Sequence, residues 1–147
     1  NEKFLKYVGH FKRGRSLRNY VIPDIHDPNK AACNFSLALS GDEHDLPLIM
    51  TKQILEIKGI PVINCGRNTP ANSIKRLLKK FQPDKIIVSL TYIEDKKLAK
   101  QELDDLLKIA SKTHAKIYVG GAGIQYINGQ QLKNVQLLHS MSDVAQI

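Results

Sequence analysis

The sequence contains no apolar run approaching the ~20 residues that a membrane-crossing helix requires, so no spanning segment is expected. No secretory leader is expected either, because the opening Asn1-Glu2-Lys3-Phe4 has no apolar core. Only two cysteines are present, Cys33 and Cys65, with no CxxC spacing and no further ligands beside them. That argues against a disulfide framework or structural zinc, and for reduced thiols in a cytoplasmic protein. Internal repeats, low-complexity tracts, zinc fingers, basic zippers and RNP-type aromatic motifs are all missing. The net charge of +8 therefore comes without the motifs that usually accompany nucleic-acid readout. One cationic group, Lys12, Arg13, Arg15 and Arg18, is free to meet phosphate. The other, Lys75, Arg76, Lys79 and Lys80, reads as the solvated face of a helix.

What is present is a chain of 147 residues, 42% hydrophobic and 24% charged, which suits one globular domain with a core of its own. A first residue other than Met suggests a piece excised from a longer protein. Residues 1–32 read as the tail of a preceding helical element plus a linker: a helix over Glu2 to Phe11, the basic segment, then Pro23-Asp24-Ile25-His26-Asp27-Pro28.

From residue 33 the pattern alternates short β-rich runs with amphipathic ones. Cys33 to Leu39 reads as a strand, and Asp45 to Lys58 as a helix with an apolar stripe through Leu48, Leu55 and their neighbours. Ile60 to Asn64 forms a second strand, whose Pro61 favours an edge. Thr69-Pro70 supplies a helix N-cap and a first-turn proline for a helix that Pro83 ends. Lys85 to Leu90 is a β-branched run suited to a central parallel strand. Lys96 to Lys112 is amphipathic, Ala115 to Val119 is a strand, and Gly120-Gly121-Ala122-Gly123 ends it. A short helix over Ile124 to Leu132, a strand near Val135 to Leu138 and a helix beginning at Ser142 complete the set. Successive βα units predict a three-layer α/β/α, flavodoxin-like (Rossmann-like) domain over 33–147, with a parallel five-stranded sheet. Such sheets bind ligands beyond the carboxyl ends of their strands.

Every unusual residue falls on that rim. His44 follows the first strand, Thr69 the second, Ser89 and Thr91 end the third, and Gly120-Gly121 follow the fourth. The run Gly41-Asp42-Glu43-His44-Asp45-Leu46-Pro47 puts an imidazole two residues after a carboxylate, a metal ligand with a built-in orienting partner.

This run resembles the Asp-x-His-x-x-Gly signature of cobalamin (B12)-binding domains, with Pro47 in place of the last glycine. Ser89 in Val88-Ser89-Leu90-Thr91 and the pair Gly120-Gly121 match two further motifs of that family. The resemblance covers residues from about 33 to 140. It implies that His44 is the lower ligand of cobalt, with Asp42 bonded to its other nitrogen. It further implies that Ser89, Gly120 and Gly121 line the slot of the displaced nucleotide tail, and Thr69 and Thr91 on the same rim are further candidate cofactor-binding residues. Asn68-Thr69-Pro70 resembles a turn of the MerR-type transcriptional regulators that carry such a domain.

The favoured expectation is thus a cobalamin-binding sensory domain, adenosylcobalamin its favoured form, in a regulator that binds DNA through an upstream domain. Such a protein is a homo-oligomer and not an enzyme. One alternative is the corrinoid carrier subunit of a methyltransferase. Another, motivated by Pro47, is a cobalamin-independent oligomerisation or interaction module on the same fold. A response-regulator receiver needs an acidic cluster that Asp42 and Glu43 only faintly imitate. Among the remaining histidines, His26, His114 and His139 read as surface residues.

Overall fold

The hexapeptide Asn34–Leu39 forms strand β1 and is buried along its whole length. A strand enclosed on both faces belongs inside a parallel sheet, and β1 lies there, between β2 (Val62–Thr69) and β3 (Lys85–Ser89). With β4 (Lys116–Gly120) and β5 (Gln136–Leu138), the sheet runs β2-β1-β3-β4-β5, every pairing parallel. The structure, a computed structural model, describes residues 34–127 and 129–147. The expected helix over Glu2 to Phe11, the basic segment, the 1–32 linker and Cys33 lie outside the described residues.

Helices α1 (Leu46–Ile57), α2 (Ala71–Phe81) and α3 (Lys96–Ala110) are followed by two short ones, α4 (Gly129–Leu132) and α5 (Met141–Val144). On one face of the sheet, Ile74 and Leu78 of α2 and Leu103 and Leu106 of α3 pack onto Phe35, Leu37 and Val88. On the other, Leu55 of α1 and Val144 of α5 pack onto Ile87, Tyr118 and Leu138. The alternation of Ile86, Ile87 and Val88 along β3 thus feeds two cores, giving the three-layer flavodoxin-like fold that the sequence predicts. No helix among the described residues is long and apolar enough to cross a membrane.

Three local expectations need correction. Strand β2, expected to stop at Asn64, continues to Thr69, because two register shifts against β1 let turn-like residues stay in the ladder. Thr69 therefore does not cap α2; Pro70 holds the N-cap position with no side-chain bond, and the Ala71 N–H donates to Glu102 Oε2 at 2.7 Å. The helix expected over Ile124 to Leu132 splits into a 3₁₀ turn (Ala122–Tyr126) and α4. Its start is pinned by the Gly123 N–H, which donates to the Leu90 carbonyl at 2.7 Å.

Candidate functional site

The parallel ladder brings the carboxyl ends of β1, β3 and β4 side by side, and the loops that follow β1 and β3 meet at Asp42. This residue is 2% exposed. Its Oδ1 accepts from His44 Nδ1 at 2.8 Å and from the His44 backbone N–H at 3.1 Å. Oδ2 accepts from the Thr91 backbone N–H at 2.6 Å. A buried carboxylate demands such compensation, and here it ties the β1 loop to the end of β3. Asp42 does not cap α1, whose N-cap is Asp45. An ionised carboxylate can only accept, so Nδ1 of His44 carries the ring proton. With the Nδ1 side engaged by Asp42, Nε2 is the ring nitrogen left to face a ligand. The His44 side chain is 49% exposed, so an imidazole oriented from behind is presented to solvent. The Tyr92 ring stands 6.4 Å away, centroid to centroid, and Tyr92 and Leu46 add exposed apolar surface around it.

A second loop holds this one in shape. Asn68, in the left-handed region at φ 47°, accepts from the Gly41 N–H at 3.0 Å. Its own N–H donates to the Asp42 carbonyl at 2.9 Å, and its side-chain amide to Glu43 Oε1 at 2.8 Å. Arg67 adds an exposed pairing to Glu43 (3.2 Å) and Asp45 (3.7 Å), worth little alone in water. Asn is among the residues that tolerate φ > 0, which is the only hint of this clamp in the sequence.

Beside the dyad, a cavity of about 240 Å³ opens between the sheet and helices α1 and α5. Ser89, Gly120 and Gly121 line it from the sheet, Leu48 and Thr51 from α1, and Met141 from α5. His139, expected to be an ordinary surface residue, also borders it. Ser89 Oγ lies 3.1 Å from Thr91 Oγ1. A continuous polar line therefore runs from His44 through Asp42 and Thr91 to Ser89 and the cavity.

Thr69 is not part of that line: its hydroxyl donates within its own strand, to carbonyls that include Gly66 at 3.0 Å. Gly121 serves the fold as well as the cavity. At φ 108°, a Cβ on it would lie 2.3 Å from the Leu90 carbonyl oxygen. A larger groove of about 690 Å³, along α3 near Asp104 and Gln131, contains none of the rim residues. Among the described residues, no group of three His, Cys, Asp or Glu side chains gathers to hold a metal ion.

No family model and no curated protein matches the sequence. Solved structures do match the fold. A cobalamin-binding protein from Desulfitobacterium hafniense DCB-2 aligns with a TM-score of 0.67 and 18% identity, over 80% of this chain and 57% of its own. The methanol:cobalamin methyltransferase complex MtaBC of Methanosarcina barkeri aligns with a TM-score of 0.67 and 13% identity, over 97% of this chain and 50% of its own. The monomethylamine corrinoid protein of Methanosarcina barkeri gives 0.63 and 14%, over 83% and 58%. The chain thus spans between half and three-fifths of the length of these structures. The chain has a flavodoxin-like α/β fold with a parallel five-stranded sheet, the fold found in these cobalamin-binding proteins.

Proposed function

We propose that this domain binds cobalamin, with His44 as the lower ligand of cobalt. The observation that carries the reading is the unbroken line His44–Asp42–Thr91–Ser89, which joins an exposed, oriented imidazole to a slot in the adjacent layer. Pockets for drug-sized molecules usually measure ~300–1,000 Å³. A slot of about 240 Å³ suits a flat bicyclic base, not a macrocycle. The macrocycle belongs instead on the open rim, where Leu46 and Tyr92 offer apolar contact. When bound, cobalamin supplies a cobalt centre that carries an alkyl group. The chain's part is to hold that cobalt through Nε2 of His44, fix the ring's tautomer through Asp42, and seat the tail against Ser89, Gly120 and Gly121.

The preferred larger role is the sensory domain of a MerR-like regulator, homo-oligomeric and bound to DNA through an upstream domain, with adenosylcobalamin as its effector. Support for this comes from the Asn68-Thr69-Pro70 turn and the character of residues 1–32. A corrinoid carrier is the second reading, favoured by the methanol and monomethylamine systems among the fold relatives. An upstream winged helix-turn-helix supports the regulator; an upstream activation domain supports the carrier.

Size-exclusion chromatography after incubation with adenosyl-, methyl- or hydroxocobalamin is expected to give a red protein peak with the spectrum of imidazole-ligated cobalt. Failure of all three to bind at micromolar concentration would leave the cobalamin-independent module as the surviving reading. Pro47 is the residue to vary in the same experiment. It lies in the first turn of α1, where a missing N–H breaks no helical bond, so its influence is on the rim and not on the backbone. Pro47→Gly removes the ring three residues after His44, and cobalamin is expected to bind up to about tenfold more tightly.

A further inference from the structure

Thr51 is the polar residue of the slot for which the fold gives no reason. It is 4% exposed, lies on α1 and lines the cavity. A threonine inside a helix commonly turns its hydroxyl back to the carbonyl one turn earlier. Here that bond is not made, and among the described residues the Thr51 hydroxyl has no hydrogen-bond partner.

Its depth follows from the geometry of α1, which starts at the rim with Leu46 and runs back down the sheet. Five residues of helix put Thr51 about 7.5 Å below that start. Ser89 ends β3, and His139 and Ser140 follow β5, so these three belong to the mouth. Apolar residues, including Leu48 and Val144, line the same cavity as Thr51. A flat base entering from the mouth would meet Ser89 first, with its far edge towards Thr51.

We infer that Thr51 selects the base at the foot of the cobamide tail. The slot takes a base whose far edge carries a hydrogen-bonding group, the amino group of adenine or the hydroxyl of 5-hydroxybenzimidazole, in preference to 5,6-dimethylbenzimidazole. The inference rests on the cobalamin-binding reading and adds to it a choice among cobamides. Two methyl groups against Thr51 leave a buried hydroxyl unpaired, whereas an amino or hydroxyl edge pairs with it. Sites that hydrogen-bond a ligand reject the analogue that lacks the partner group.

The test is an absorbance titration of the 147-residue chain with four corrinoids: cobalamin, the adenine cobamide, the 5-hydroxybenzimidazole cobamide and tail-less cobinamide. The two polar-base cobamides are expected to bind about tenfold more tightly than cobalamin. Thr51→Val, close in shape but without the hydroxyl, should bring that ratio to near unity, while Thr51→Ser should keep most of it. Thermal melts of both variants establish that each is folded. Equal affinities for the three tailed corrinoids in the parent chain would overturn the inference, as would a ratio unchanged in Thr51→Val; in both cases the cobalamin reading survives. If cobinamide binds as well as the tailed forms, the slot holds no tail and the inference falls with it. Failure of all four to bind overturns the cobalamin reading itself.

Discussion

His44→Ala is expected to remove the imidazole signature from the cobalamin spectrum and to weaken binding by about a hundredfold or more, while the melting temperature barely moves. The two effects separate because of where the side chain sits. The ring is half in solvent and contacts Asp42 and Tyr92 without filling a core. Its loss still leaves Asp42 with two backbone donors, from His44 itself and from Thr91. Surface truncations of this kind usually change stability within about 0.5 kcal/mol. Binding has no such reserve, since loss of a partner that merely orients a ligating imidazole already costs ~10–100-fold in metal affinity. Titration of the variant with adenosylcobalamin, followed by its spectrum, checks both parts. An unchanged spectrum would remove His44 from the coordination sphere.

Gly121→Ala should act in the opposite sense, on the fold first. The added Cβ would lie 2.3 Å from the Leu90 carbonyl oxygen, 2.7 Å from its carbon and 3.2 Å from its nitrogen. All of these are backbone atoms, so no side chain can swing aside. Leu90 is fixed on both sides: its N–H donates to the Gly120 carbonyl at 2.8 Å, and its carbonyl accepts from Gly123 at 2.7 Å. The residue's φ of 108° is unfavourable for alanine whatever the space. A loss of about 3 kcal/mol or more is expected, which lowers the melting temperature of a domain of this size by roughly 10 °C. Gly129→Ala is the control, because nothing lies within 4 Å of a Cβ there. If Gly121→Ala melts with the parent, the close packing under Leu90 is not what this glycine is for.

The two variants bear on how much could be read from sequence. The order of strands and helices was legible because hydrophobic period is a local property: the β-branched run Lys85–Ser89 became the central strand, and the stripe through Ile74 and Leu78 became a core face. The pairing of Asp42 with His44 was legible for the same reason, at a separation of two residues. The anchors of that pair were not. Thr91 reaches Asp42 across 49 positions, Asn68 reaches Glu43 across 25, and Glu102 replaces the expected Thr69 cap across 31. Such contacts depend on which strands end side by side. Gly121 was recognised as a place without a side chain, but its clash with Leu90 needs the β3 and β4 loops in space. Thr51 passed as one more helix residue, since no local pattern shows which threonine lacks a carbonyl to bond.

The irregular pairing of β2 has a consequence for how related proteins are compared. From Asn34 to Leu39 β1 advances five residues, while its partner advances seven, from Val62 to Thr69. Those two surplus residues bring Asn68 up to the loop that carries Asp42. A homologue shortened by one residue between Asn64 and Asn68 could keep every apolar position and every histidine, and still fold. Its asparagine would face the wrong way, because one step along a strand exchanges the two faces of the sheet. The length of this segment is therefore as much a part of the site as the identity of His44. A single gap in an alignment here would mark a lost site more reliably than many substitutions elsewhere.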